Sequence, residues 1–261
     1  MKSAALPVVT LLTDFGSADY FVAAVKGVIL TINPSVTIVD ITHEIPPQDI
    51  ESGAFTLLTC YRDFPAGTIH VAVVDPGVGS ARRGIVVSAG SQYFVGPDNG
   101  LFSYILDRER SHKTFQLTHD KYFRQPASTT FHGRDVFAPV AAALSQGVKP
   151  NKFGPRIVDE VRLRSLSPVQ RNGKVEGRII HIDHFGNCIT NFTRLDGKRL
   201  VVNRKTITAF RQFYGDESKS KKTDEIFAIW GSAGFLELSI NGASAAKLLK
   251  AKRGDTIIAS E

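Results

Sequence analysis

The chain has 261 residues, of which 43% are hydrophobic and 22% charged, with a formal net charge of +7. That is enough for one large domain or two smaller ones with a true core, and the balance is that of a soluble globular protein rather than a fibrous or disordered one. The positive charge is scattered, and its densest cluster, Lys219-Ser220-Lys221-Lys222, stands among Asp216, Glu217, Asp224 and Glu225. It reads as a solvated loop rather than a nucleic-acid stripe.

Residues 1–7 hold no long apolar stretch with a small-residue cleavage site, because Thr10, Thr13 and Asp14 soon interrupt the following run. No run reaches the ~20 apolar residues of a membrane span. Residues 8–12 are apolar and end at Thr13-Asp14-Phe15-Gly16, predicting a buried strand with a carboxylate at its carboxyl end. Phe21, Val22, Val25, Val28, Ile29 and Ile32 recur at helical spacing, with Ser17 or Asp19 placed to cap the start and Asn33-Pro34 to stop it. A strand over residues 36–41 leads into Thr42-His43-Glu44-Ile45-Pro46-Pro47, which suits no regular element. Asp49 then opens a helix whose apolar face is Ile50, Ala54, Leu57, Leu58 and Tyr61. Phe64-Pro65-Ala66-Gly67 turns the chain into a strand over residues 69–74. The first 75 residues thus read β-α-β-α-β, the pattern of a parallel sheet covered by helices.

The strand over 69–74 ends in Asp75-Pro76-Gly77-Val78-Gly79-Ser80-Ala81-Arg82-Arg83. In open α/β sheets ligands sit at the carboxyl ends of strands, which gives Asp75 a functional reading. The alternative is an aspartate capping its own turn, with Arg82 and Arg83 as solvated charges. Strands follow over 85–87 and 93–95, then the turn Gly96-Pro97-Asp98-Asn99-Gly100 and a helix from residue 101. Phe131-His132-Gly133-Arg134-Asp135 precedes a helix over 136–144, with Asp135 as the expected N-cap and His132 just before the helix start. Periodicity fades over 148–172, which carries Pro150, Pro155 and Pro168 and reads as a linker. Short alternating runs follow at 175–182, 200–202, 206–210, 226–230, 235–240 and 256–259, with one helical stretch near 244–249. The expected fold class is α/β: an N-terminal α/β domain with a mostly parallel sheet over 1–165, plus a smaller C-terminal antiparallel β-barrel domain over 172–261.

Cys60 and Cys188 lie far apart with no ligand neighbours at finger spacing, so a reduced, cytoplasmic chain is expected. Asp14-Phe15-Gly16 spells the kinase magnesium motif without the loops a kinase needs. Gly77-x-Gly79 lacks the rest of a dinucleotide loop or P-loop. His181 and His184 flank Asp183 at a spacing that points them to opposite faces of a strand, so no metal site is expected. The more informative set is Asp14, Asp75 with Arg82, and His132. Each alone, His132 included, reads more readily as a structural polar residue, but a carboxylate, a guanidinium and an imidazole together can hold and deprotonate a water. Phe185 and Asn187, in Asp183-His184-Phe185-Gly186-Asn187, suit an aromatic base by stacking and paired hydrogen bonds; the plainer reading is a β-turn with a core phenylalanine.

Taken in order, Thr13-Asp14-Phe15-Gly16, Val39-Asp40-Ile41-Thr42-His43, Val74-Asp75-Pro76-Gly77-Val78-Gly79, Gly96-Pro97-Asp98-Asn99-Gly100, Phe131-His132-Gly133-Arg134-Asp135, His184-Phe185-Gly186-Asn187 and Asn241-Gly242-Ala243-Ser244-Ala245 resemble one family. It is that of the adenosine-forming S-adenosyl-L-methionine hydrolases, or S-adenosylmethionine hydroxide adenosyltransferases, relatives of the fluorinase and chlorinase enzymes. The resemblance covers nearly the whole chain. It implies a homotrimer with each active site between the N-terminal domain of one subunit and the C-terminal domain of its neighbour.

The family's Asp-Arg-His triad falls on Asp75, Arg82 and His132. Asp14 matches the carboxylate that grips the ribose hydroxyls, and Asn187 and Phe185 match the adenine side. Asp183 and Ser232 match groups holding the methionine amine and carboxylate, while Asp19, Phe131 and Ala243 match further pocket positions. The halogenases carry a tyrosine and a threonine where this chain has Asp75 and Val78, and a fluoride-holding serine at Gly133. A tryptophan near the ribose in the fluorinase corresponds to Gln48.

The resemblance therefore implies hydrolysis of S-adenosylmethionine to adenosine and L-methionine by attack at C5′, with no cofactor. Either His132 or Asp75 would be the base. The rivals are a non-catalytic S-adenosylmethionine or adenosine binder, a residual halogenase, and a nucleic-acid binder motivated only by the net charge. No nucleic-acid or membrane partner is expected.

Overall fold

The computed structural model describes residues 6–171, 173–216 and 225–260. Residues 1–5 and the lysine cluster at 219–222 lie outside the described residues. The chain divides into two compact units, Met1–Ser165 and Leu166–Glu261.

In the first unit the elements run β1 (Val8–Thr13), α1 (Phe21–Ile32), β2 (Thr37–Thr42), α2 (Ile50–Cys60), β3 (Ile69–Val73), β4 (Gly84–Ala89), β5 (Gln92–Pro97), α3 (Ser103–Arg108), β6 (His112–Gln116), α4 (Ala138–Ser145) and β7 (Arg156–Ile157). They build a seven-stranded sheet in the order β2-β1-β3-β5-β4-β6-β7. The run β2-β1-β3-β5 is parallel, and β4, β6 and β7 extend it antiparallel. Alternation along β1 explains the layers. Val9 and Leu11 join the core formed with α1 and α4, while Leu12 lies against Gly53 of α2 on the other face. The central parallel strands β1 and β3 are buried on both faces and so read as near-continuous apolar runs, whereas the edge strand β2 is half exposed.

The second unit holds β8 (Val169–Arg171), β9 (Lys174–Ile182), β10 (Cys188–Thr190), β11 (Arg199–Val202), β12 (Lys205–Ile207), β13 (Phe227–Trp230), β14 (Leu236–Ser239), α5 (Ala245–Leu249) and β15 (Thr256–Ser260). These strands form an eight-stranded antiparallel sheet, β12-β11-β15-β9-β10-β14-β13, with β8 beside β9. Phe210, just past β12, bridges Ala228 of β13, so the two ends of the sheet approach each other and it nearly closes. Its core is Ile179, Cys188, Phe192, Leu200, Leu236, Leu238 and Ile257 with their neighbours.

Three local expectations are corrected. α1 starts after Tyr20 with no side-chain cap, so neither Ser17 nor Asp19 caps it. Asp135 is not an N-cap, because the helix begins earlier, as a π turn over Gly133–Phe137 that runs into α4. With its carboxylate inside that turn, Asp135 instead accepts from Ser128 N–H (2.8 Å) and pairs with Arg134. The stretch after residue 148 is not a free linker over its first part. It supplies β7, Asp159 binds Arg83, and Val161 N–H donates to Asp98 at 2.9 Å. Those bonds replace the apolar periodicity that would have revealed an element.

Candidate active site

β1 and β3 are adjacent and parallel, with Thr13 paired to Val73. Asp14 and Asp75 therefore leave the sheet at the same edge, where the carboxyl ends of parallel strands open a crevice. The turn after β5 secures this end of β3: Asn99 Nδ2 donates to Val74 O at 2.8 Å.

Asp75, Arg82 and His132 meet. Arg82 Nε donates to both Asp75 oxygens (2.9 and 3.0 Å), Arg82 Nη2 donates to Asp75 Oδ2, and Nη2 also lies 2.9 Å from His132 Nδ1. The pair is sheltered, with side-chain exposures of 11% for Arg82 and 5% for Asp75. The guanidinium also sits over the Phe137 ring, 5.3 Å from its centroid. Arg83, by contrast, turns away to Asp98 and Asp159 and ties the segment at 159 to the sheet.

The 50-residue gap between Arg82 and His132 is closed by a glycine. Gly79 has φ of +78°, and a Cβ there would stand 2.2 Å from the carbonyl oxygen of Thr129. Only a residue without a side chain lets the 75–82 loop and the His132 segment approach this closely.

A guanidinium only donates, so His132 Nδ1 accepts from it and, in the neutral ring, the proton resides on Nε2. Burial, then the Arg82 charge, lowers the His132 pKa below the ordinary imidazole value, against the pull of Asp75 and Asp135. The ring is held neutral.

Asp14 is half-buried and accepts Gln48 N–H at 2.8 Å. Gln48 makes that bond from a left-handed conformation, φ 65°. Asp19 is exposed. Phe131 is 8% exposed and packs edge-on against Phe15 and Phe21, with the Arg134 guanidinium 4.9 Å from its centroid. It backs Gly133, whose Cβ position faces the Phe15 and Phe131 rings.

In the second unit, Asp183, Phe185, Asn187, Ser232 and Ala243 line one cavity of about 820 Å³. Residues 183–187 form a tight turn: Gly186 N–H donates to Asp183 O (3.0 Å), while the Asp183 carboxylate takes the N–H groups of Phe185 and Asn187 and the Asn187 amide. Gly186, at φ +85°, lets this turn rest on Ser244, the N-cap of α5; a Cβ would meet Ser244 Oγ at 2.1 Å. The β-turn reading was right, but Phe185 is no core residue: it is 75% exposed. Its ring is available to a planar ligand, while the Asp183 carboxylate braces the turn from within.

The sequence reading missed Tyr214, Trp230 and Glu237, which line the same cavity. Tyr214 Oη donates to Glu237 Oε2 at 3.1 Å, and burial, with Asp183 nearby, raises the Glu237 pKa. The single tryptophan and the Phe213-Tyr214 pair were the available signals. Among the described residues no three His, Cys, Asp or Glu side chains are grouped to hold a metal ion. No helix among them is long and apolar enough to cross a membrane.

Comparison with known proteins identifies the family. Residues 9–154 match the model of the SAM hydroxide adenosyltransferase N-terminal domain and residues 177–258 that of its C-terminal domain. The chain is 37% identical to a (R)-S-adenosyl-L-methionine hydrolase of Thermus thermophilus, over 94% of this chain and 96% of that one. A fluorinase of Nocardia brasiliensis is 28% identical over 96% of each. A crystal structure of an uncharacterized conserved protein from Thermotoga maritima matches with a TM-score of 0.88 at 36% identity, covering 97% of this chain and 100% of that one. This chain belongs to the SAM hydroxide adenosyltransferase family.

Proposed function

We propose that the chain hydrolyses S-adenosyl-L-methionine to adenosine and L-methionine, with a water oxygen displacing the sulfonium at C5′ and Asp75, Arg82 and His132 acting on that water. The observation that carries the mechanism is the single hydrogen-bonded cluster these three groups form. The leaving group departs as a neutral thioether and needs no acid, so the difficulty lies in the nucleophile, which must be in line, desolvated and partly deprotonated. Arg82 stabilises developing hydroxide. His132, with Nδ1 engaged by Arg82, presents Nε2–H as a second donor. Asp75 then becomes the proton acceptor, because the histidine lone pair is already in use.

Asp14 holds the ribose hydroxyls. The 820 Å³ cavity takes the rest of the substrate, with Phe185 and Asn187 on the adenine, Asp183 and Ser232 on the amino acid end, and Ala243 on the wall. Asp19 and Phe131 complete the N-terminal side, Phe131 by backing the pocket. No cofactor takes part.

The reacting groups lie within residues 1–165 and the ring-binding groups within 166–261. With the family resemblance, this division supports a homotrimer whose sites join the first unit of one subunit to the second unit of its neighbour. Both cysteines are free, which fits a cytoplasmic location.

The test is incubation of purified protein with S-adenosylmethionine, followed by chromatography. Adenosine and methionine are expected in equal amounts, and their absence despite calorimetric binding favours the non-catalytic rival. Equal rates with and without chloride or fluoride exclude residual halogenase activity. For the assembly, light scattering should give three times the chain mass. At S-adenosylmethionine concentrations well below KM, mixing Asp75→Ala subunits with Phe185→Ala subunits should give more turnover than the two separately add up to if the two halves of a site come from different chains. Because the His132 pKa is lowered, the rate should hold through neutral pH and fall only below the ordinary histidine range, where a charged ring would face Arg82 and lose its bond.

A further inference from the structure

The stretch Asp40-Ile41-Thr42-His43 takes no part in the mechanism above, yet it ends in a linked set of polar side chains beside Asp14. Thr13 Oγ1 lies 2.9 Å from His43 Nδ1, His43 Nε2 lies 3.1 Å from Asp40, and Asp40 takes a hydrogen bond from Lys26 at 2.6 Å. Nε2 faces the Asp40 carboxylate at 3.1 Å without a well-aligned hydrogen bond; the negative charge there favours the proton on Nε2, leaving Nδ1 to accept from the Thr13 hydroxyl. The same hydroxyl oxygen accepts Phe15 N–H at 3.2 Å.

Threonine, histidine and aspartate in this order resemble a nucleophilic triad. Thr13, however, is 2% exposed and its oxygen is engaged on both sides, so no attack can start there. The set does something else. Residues 43–48 embrace 13–16: Gly16 N–H donates to His43 O (2.8 Å), Ile45 N–H to Thr13 O (3.4 Å), and Gln48 N–H to the Asp14 carboxylate (2.8 Å). Gln48 reaches Asp14 only from its left-handed conformation, φ 65°, a local strain that the surrounding bonds must hold. His43 is the one side chain in this embrace that bonds across to Thr13, the residue from which Asp14 departs. Among the described residues, Asp14 Oδ1 keeps no protein partner and is left for a ligand.

We propose that His43 is a positioning residue: it aims the Asp14 carboxylate at the substrate by locking Thr13, with Asp40 and Lys26 holding its ring. This rests on the reading of Asp14 as the group that grips the ribose.

The experiment measures kcat and KM for S-adenosylmethionine in the full-length wild type, Asp14→Asn, His43→Ala, His43→Gln and the Asp14→Asn/His43→Ala double variant, with melting temperatures for each. A positioning role predicts that His43→Ala raises KM by about tenfold, the scale of one misplaced hydrogen bond, with little change in kcat. The double variant should be no worse than Asp14→Asn alone, because His43 then has nothing left to aim. His43→Gln, which keeps a polar contact to Thr13, should recover most of the affinity and fold normally even if His43→Ala does not. Multiplying effects in the double variant, or an unchanged KM in a folded His43→Ala, overturn the proposal; where His43→Ala does not fold, a folded His43→Gln whose loss falls on kcat overturns it. An unchanged KM in Asp14→Asn removes both the ribose reading and this inference, while adenosine production by the wild type leaves the reaction itself standing.

Discussion

The two units treat their polar groups in opposite ways. In the first, Asp75, Arg82 and His132 are drawn together from positions far apart in the chain, sheltered from solvent and bonded to one another. In the second, Asp183 and Asn187 bond within a five-residue turn, and what faces the cavity is an exposed phenylalanine with aromatic and glycine-rich surroundings. A cluster that stabilises developing charge works best when its dipoles are already fixed, since reorganising them would cost part of the rate. A surface that recognises a planar ring gains from leaving apolar area uncovered until the ring arrives.

The sharpest way to break this contrast is to unlink the first cluster. Arg82→Ala or Asp75→Ala should lower kcat by about 10²–10³-fold with KM little changed, since each supplies charge needed only as hydroxide develops. Steady-state kinetics read both constants.

Acid should act on the first unit through another buried group. His70, in contact with Thr10 and Gln92 and stacked on Phe94, has its pKa pushed from 6.5 down to about 4, by burial against the opposing Gln92 bond. The unfolded chain takes up a proton as pH falls through 6.5 and the folded chain does not, so this contribution to stability is intact above 6.5. It is lost on descent to about 4, an amount of about 3 kcal/mol at most. Urea midpoints across that window should show the loss in the wild type and a smaller one in His70→Gln.

Next in size is Gly79→Ala. Its Cβ would fall 2.2 Å from a backbone oxygen at positive φ, so the 75–82 loop must retreat from the His132 segment. About 2 kcal/mol of stability should be lost, seen as a lowered melting temperature together with reduced turnover.

The smallest effect belongs to the second unit. Phe185→Ala should raise KM about tenfold through lost stacking, with kcat and melting temperature unchanged because the ring supports no core. A drop in melting temperature would show that the turn needs its phenylalanine after all.

Much of this was legible beforehand because it is local. The β-α-β-α-β opening, the strand ends at Asp14 and Asp75, and the turn at 183–187 all follow from periodicity and turn residues within about a dozen positions. What was misread had its explanation elsewhere in the chain. Asp135 looks like a cap until the π turn places it inside the helix, bonded to Ser128. Residues 148–172 look like a linker until Arg83 and Asp98 are seen to hold Asp159 and Val161. Gly79 looks like a fragment of a phosphate loop until Thr129 fills the space beside it.

The sequence by itself determined most element types and the residue chemistry available, since apolar period, turn formers and side-chain functional groups are properties of short segments. Only the tertiary structure decided how Arg82 grips Asp75, which nitrogen of His132 is engaged, and that His43 stands behind Asp14. Those are distances between residues as many as 50 positions apart, set by strand order and close backbone approach, which no local pattern encodes.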